Sequence, residues 1–187
     1  NYQPDGGVSL AEYELIPIDA ALRDDPSIAK LVEGYKTEVE EDYLARFGMT
    51  FDQVLVRNPY SFDSVDEVYD TQHESTLGNL LSDAYLWAVE EYVAGVDRPV
   101  DVALTASGVI RESFAQGNVT VSDVFNVASL GIGADGVPGY PLISVYLTGK
   151  DLKTVMEIDA PVSPLMSAAQ LYLSGAQYAF NTHRMIF

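Results

Sequence analysis

The chain of 187 residues contains no cysteine, two histidines and only ten lysines plus arginines. Without cysteine there are no disulfides, no thiolate metal sites and no cysteine nucleophile, and the absence fits an oxidising or a reducing compartment equally. His73 and His183 lie far apart, and no His-x-His, Asp-x-His or Asn-His-Glu cluster accompanies them. A two-metal hydrolytic centre gathers its ligands from several loops. The sequence therefore predicts no metal site, no bound cofactor and no catalytic residue in this chain. Against the ten bases stand 28 Asp plus Glu, for a net charge of −18. That field repels nucleic-acid phosphates and argues against a DNA- or RNA-binding role. It repels a free phosphate ester as well, so any anion site must be a local exception. High acidity otherwise serves solubility or a salty medium. No apolar run approaches the ~20 residues that span a membrane, and no signal-peptide pattern is visible at Asn1. Asn1-Tyr2-Gln3-Pro4-Asp5 lacks an initiator methionine, and Met185-Ile186-Phe187 ends the chain on apolar residues. The chain reads as an excised piece of a longer protein.

What is present suffices for a core: 48% of the residues are hydrophobic, and the length suits one domain, or one domain plus an extension. Residues 1–9 read as a loop and Ala11–Ile18 as a strand with Tyr13 and Leu15 on one face. Asp25-Pro26 starts a helix in which Ile28, Leu31, Val32, Tyr35 and Val39 recur at helical spacing, ending near Gly48. Phe51–Val56 reads as a strand broken by Asn58-Pro59. Ser75 or Thr76 can cap a helix whose apolar stripe is Leu77, Leu80, Leu81, Ala84, Ala88 and Val89, stopped by Gly95. An apolar strand from Val100 follows. Gly117-Asn118 suggests a hairpin-like turn and Val127–Pro141 a glycine-rich loop. Leu142–Leu147 reads as a strand and Gly149–Ile158 as a helix with Leu152, Val155 and Met156 inward. Pro161 and Pro164 break the chain, and Leu171–Phe180 reads as a last strand. Helices and strands mix without a strict βαβ rhythm, which favours α+β, or α/β with a mixed sheet.

The sharpest chemical feature is the run Val100–Arg111. A strand passes into the small residues Ala106-Ser107-Gly108, which let a ligand approach the backbone closely, and then delivers Arg111. A guanidinium at the carboxyl end of a strand sits where α/β proteins place ligands, and it can donate two parallel hydrogen bonds to a phosphate or ribose oxygen. The bland alternative is a surface salt bridge near Glu112. Ser107 matches the hydrolase elbow Gly-x-Ser-x-Gly only in its second half, because Thr105 stands where the first glycine is needed. It reads as a turn residue whose hydroxyl satisfies a local backbone group.

Leu77-Gly78-Asn79-Leu80 with Asp83-Ala84, Thr105 to Arg111, Val121-Ser122-Asp123-Val124-Phe125, and Leu147-Thr148-Gly149-Lys150-Asp151-Leu152 occur in that order over roughly residues 70 to 158. Together they resemble the C-terminal, substrate-recognition domain of the 5'-nucleotidases, a family that includes UDP-sugar hydrolases and 2',3'-cyclic phosphodiesterases. The resemblance implies that residues 1–48 end an upstream metallophosphatase domain and include its linker helix. Residues 49–187 would then be the specificity domain, truncated at its C-terminus. It further implies a secreted or periplasmic hydrolase of nucleotide catabolism, with two divalent metals on the upstream domain and a small phosphoester substrate. Arg111, with Gly108, Ser107 and Ala106 beside it, would hold that substrate. The chain also departs from the family. Ala106 and Ser107 stand where Asn and Gly are usual, Thr71 replaces an arginine, and Ser129-Leu130-Gly131-Ile132 replaces a segment with a base-stacking phenylalanine. Leu130 can cover a base but cannot stack on it; Tyr140 and Phe125 are possible replacements. The altered pocket leaves two rivals open: the same family acting on a non-nucleotide phosphoester or a sulfur compound, or a non-catalytic binding module.

Overall fold

Asp25 starts α1 (Pro26–Asp42) by accepting hydrogen bonds from the Ser27 and Ile28 backbone N–H groups at 2.8 and 3.3 Å, with proline at a first-turn position that needs no donor. A 3₁₀ turn, Leu44–Phe47, follows, and Gly48 closes it in the left-handed region at φ 67°. The computed structural model describes residues 6–18, 21–70, 72–92 and 99–181. The chain divides into two units between Gly48 and Met49.

The second unit is α+β. Its elements are β1 (Val54–Asn58), α2 (Val65–Asp70), α3 (Thr76–Tyr92), β2 (Ala103–Ala106), β3 (Gly117–Thr120), α4 (Val121–Val127), α5 (Gly149–Val162) and β4 (Leu171–Ser174). The strands form two antiparallel pairs, β1 with β3 and β2 with β4. In the second pair Thr105 lies opposite Tyr172 and Ala106 opposite Leu171. Helix α3 packs against both strands of this pair. The core is Val68, Leu77, Leu81, Ile110, Phe114, Val119, Val127 and Tyr172.

Local signals account for the helices. Ser75, fully buried, caps α3 by accepting from the Gly78 N–H at 3.2 Å. Asp63 accepts from the Thr76 N–H at 2.8 Å. Thr120 with Asp123, and Thr148 with Asp151, form capping boxes at α4 and α5, each satisfying two orphan N–H groups. Helix α2 has the same signature in Ser64 and Glu67, where a carboxylate oxygen of Glu67 accepts from the Ser64 N–H at 2.8 Å. Sequence reading passed over it.

The buried face of α3 is Leu77, Gly78, Leu81 and Ser82, a rotation from the predicted stripe; Leu80 is 39% exposed and Ala84 is exposed. The cause is Tyr172. Its ring lies on Gly78 so closely that a Cβ there would stand 2.3 Å from the ring's Cγ. Ser82 donates to the Gly78 carbonyl at 2.9 Å, so its hydroxyl can be buried beside that contact. The Tyr172 hydroxyl donates to the Val68 carbonyl at 3.0 Å and accepts from Gln170 Nε2 at 3.1 Å. Burial pushes its pKa up to about 12.

Three predicted strands differ from the structure. Ala11–Ile18 and Leu142–Leu147 take no strand structure, and their apolar side chains are exposed, Ile143 at 82%. Alternating or continuous apolar character makes a strand only when a ladder partner accepts its backbone bonds. Leu171–Phe180 is a strand only to Ser174. Gly175 turns the chain at φ 81°, where a Cβ would meet the Asp101 carbonyl oxygen at 2.0 Å. Gly117-Asn118 begins β3 rather than a hairpin turn, because Gly117 pairs with the distant Asn58. Pro161 lies inside α5 near its end. There it has no N–H to give the Glu157 carbonyl one turn back. The predicted stop at Gly95 lies outside the described residues.

Gly78→Ala should destabilise the protein by roughly 1–3 kcal/mol, the scale of overpacking a core, although alanine gains about 1 kcal/mol in helix propensity. Chemical denaturation beside the wild type checks the sign. Desolvation pushes the Asp63 pKa up, but hydrogen bonds from Ser75 and Thr76 and the nearby charge of His73 outweigh it, leaving the group below its ordinary 3.8. A depressed folded pKa stabilises above the unfolded value and loses that contribution as pH falls through the folded one. Asp63→Ala should therefore lower the melting temperature at neutral pH, by an amount equivalent to about 1 kcal/mol, the scale of a lost cap bond. Melts below pH 3.8 should show the difference shrinking.

Candidate functional site

Strand β2 ends at Ala106, and the chain enters a 3₁₀ turn, Ser107–Val109. Ser107 is fully buried. Its N–H donates to the Gln170 carbonyl at 2.9 Å, and its hydroxyl donates to the Ser167 carbonyl. Gly108 has no room for a side chain, since a Cβ would stand 2.7 Å from the Ala168 carbonyl oxygen. The small residues of this turn thus let the Ser167–Ala169 segment approach, and that contact is internal. Ile110 is fully buried, and its carbonyl accepts from the Tyr69 hydroxyl at 3.4 Å.

Arg111 follows this anchored turn. Its N–H donates to the Val127 carbonyl at the end of α4, 2.8 Å away, and its side chain is exposed. The backbone is held on both sides, by buried Ile110 and by α4, while the guanidinium projects outward. Among the described residues it has no ion-pair partner, and the neighbouring Glu112 carboxylate accepts from the Ser113 N–H at 3.0 Å. A held backbone with a solvent-facing guanidinium is a geometry that can receive an anion.

Leu130, half-buried, and Gly131, exposed, follow α4, so the Arg111–Val127 bond brings them to the same end of that helix. Ala106 is half-buried at the end of β2. Thr71 lies outside the described residues. Among the described residues no three of His, Asp or Glu are grouped so as to hold a metal ion, and no helix is long and apolar enough to cross a membrane.

A cavity of about 410 Å³ lies elsewhere, lined by His73, Glu74, Asp159, Gln170, Tyr178 and Phe180 among others. Arg111, Ser107, Gly108 and Leu130 take no part in it. Asp159 is 5% exposed and accepts from the Ser163 hydroxyl at 2.8 Å, the Leu171 N–H at 3.1 Å and the Tyr178 hydroxyl at 3.4 Å. Burial, and then the Asp159 charge, push the Tyr178 pKa up to about 12. Sequence reading missed this group. The available signal was Asp159 three residues after inward-facing Met156, a carboxylate on the buried face of a helix. With two carboxylates in its lining the cavity disfavours a phosphate.

Comparisons with known proteins bear on the family. The family model of the 5'-nucleotidase C-terminal domain matches residues 57–186. The chain is 26% identical over 171 residues to the trifunctional nucleotide phosphoesterase protein YfkN of Bacillus subtilis (strain 168). That alignment covers 91% of the chain and 10% of the relative, so the chain spans about a tenth of that protein's length. Among solved structures, a 5'-nucleotidase precursor from Thermus thermophilus aligns with a TM-score of 0.47 at 22% identity, over 66% of this chain and 21% of that one. With most of its length matched by the family model, the chain belongs to the 5'-nucleotidase C-terminal domain family.

Proposed function

We propose that this domain holds a phosphoester substrate through Arg111 for a hydrolytic domain elsewhere in the same polypeptide. In this reading residues 1–48 form the junction to an upstream metallophosphatase domain and residues 49–187 carry substrate recognition. Two divalent metals on the upstream domain activate water, and the protein works in the periplasm or outside the cell on nucleotides or related phosphoesters. The name of the Bacillus subtilis relative, a nucleotide phosphoesterase, supports the substrate class. The observation that carries the reading is Arg111 itself: an exposed guanidinium on a fixed backbone, without an ion-pair partner among the described residues, in a chain of net charge −18. In that field a solvent-facing cation is the place where an anion can settle. Ala106, Ser107 and Gly108 act one step back. Their packing against Ser167–Ala169 fixes where Arg111 emerges.

Arg111→Ala in the full-length protein should raise KM for its phosphoester by roughly 10- to 150-fold, the equivalent of about 1.5–3 kcal/mol for a charge-assisted bond, with kcat less affected. Thermal melting should shift little, since an exposed charge outside a buried pair is worth about 1 kcal/mol or less. Unchanged kcat/KM, or a melt lowered enough to explain the loss, overturns the assignment. The isolated chain should not hydrolyse nucleotides with added Mn²⁺, Zn²⁺ or Mg²⁺, because its sequence lacks the His and Asp clusters of such centres. Turnover by the purified chain that a chelator abolishes overturns the two-domain reading.

A further inference from the structure

The cavity beside Asp159 plays no part in the Arg111 reading, and its chemistry is the reverse of a phosphate site. Asp159 is 5% exposed and meets only neutral donors: the Ser163 hydroxyl and the Leu171 N–H at Oδ1, and the Tyr178 hydroxyl at Oδ2. Among the described residues no Lys, Arg or His is ion-paired with it. A carboxylate taken out of water without a counter-charge leaves much of its desolvation cost uncompensated. Oδ2 holds a single long bond, 3.4 Å from the Tyr178 hydroxyl, and a carboxylate oxygen can accept about two.

A second buried acceptor lines the same cavity. Gln170 is also 5% exposed. Both hydrogens of its Nε2 are engaged, one by the His73 carbonyl at 3.3 Å and one by the Tyr172 hydroxyl at 3.1 Å. Among the described residues its Oε1 has no partner and is not sealed from solvent, so it opens on the cavity that Gln170 lines. Glu74, exposed and bonded by the Asn79 side-chain amide at 3.1 Å, adds a second carboxylate. The apolar lining includes Tyr178 and Phe180, whose rings stack with centroids 5.6 Å apart and planes at 27°. His73 is the one basic residue in the lining, and its charge acts on Asp63 and Glu67. A free acceptor between two negative charges calls for a donor that is positive.

We infer that this cavity binds a small organic ammonium ion. The N–H groups of the ligand bond Asp159 Oδ2 and Gln170 Oε1. Its apolar body lies against Tyr178 and Phe180, whose ring faces also attract a cation. At about 410 Å³ the space suits a small molecule. The net charge of −18 draws cations toward the site as it repels free phosphates. The site is independent of the Arg111 reading and takes a ligand of the opposite charge.

Phenethylamine, a primary ammonium joined to a flat ring, is a probe that matches both features. Isothermal titration calorimetry of the full-length protein should show it binding. The uncharged 2-phenylethanol, with the same skeleton, should bind at least about tenfold more weakly, the scale of a charge-assisted hydrogen bond. Asp159→Asn keeps an acceptor for Ser163 and Leu171 and removes the charge, so it should weaken phenethylamine by at least about tenfold as well. Phe180→Leu changes a side chain that is 42% exposed, and it carries the test if Asp159→Asn does not fold. It should weaken binding roughly two- to fivefold by removing one ring. Arg111→Ala should bind phenethylamine as the wild type does. The amide of Nα-acetyl-lysine, the group that a protein partner would offer, should bind more weakly than phenethylamine, since its stem cannot stack. No binding to the wild type, equal binding of amine and alcohol, or binding unchanged in Phe180→Leu and in folded Asp159→Asn overturns the proposal, as does binding that needs Arg111. Tighter binding of the lysine amide overturns the free amine in favour of a protein's lysine side chain.

Discussion

The contact between Tyr172 and Gly78 sets the arrangement of the second unit. The ring occupies the space of a missing side chain on α3, and its hydroxyl ties β4 to the Val68 carbonyl of α2. That seating turns Leu77 and Leu81 inward and Leu80 outward. It fixes the β4 register, with Thr105 opposite Tyr172, and so places the end of β2. From there the turn at Ser107–Val109 is clamped against Ser167–Ala169, and Arg111 emerges against the end of α4. A glycine in α3, some thirty residues before the arginine, therefore helps to determine where the charge stands.

The parts of this that local chemistry decides were legible in the sequence. Asp25-Pro26 and Ser75 start helices because a side chain near the first turn can accept its orphan N–H groups, and the capping boxes that the structure shows at Thr120 with Asp123 and Thr148 with Asp151 work in the same way. The position of Arg111 after a strand and a tight turn was legible for the same reason. Features that depend on distant partners were not. Leu142–Leu147 has the composition of a strand, but composition does not supply a ladder. The α3 stripe was read from hydrophobicity, which ranks Leu80 above Gly78, whereas packing against Tyr172 rewards the absence of a side chain. Gly108 reads as room for a ligand, yet the space is filled by Ala168. Buried Asp159 answers to Ser163, Leu171 and Tyr178, and only Ser163 lies close to it in sequence.

Charge is unevenly placed on this unit. The cavity beside Asp159 and Glu74 adds to the negative field of the chain, whereas the end of α4 carries an outward guanidinium.

The most direct measurement is an NMR titration of the protein with AMP, following the Arg111 side-chain Nε–H and the backbone amides. The account predicts that the Arg111 Nε–H moves together with the amides of Val127 to Gly131, with an affinity that weakens as salt rises, because the anchor is a solvent-facing charge. Shifts confined to the residues around Asp159 and Tyr178, with Arg111 silent, would contradict it.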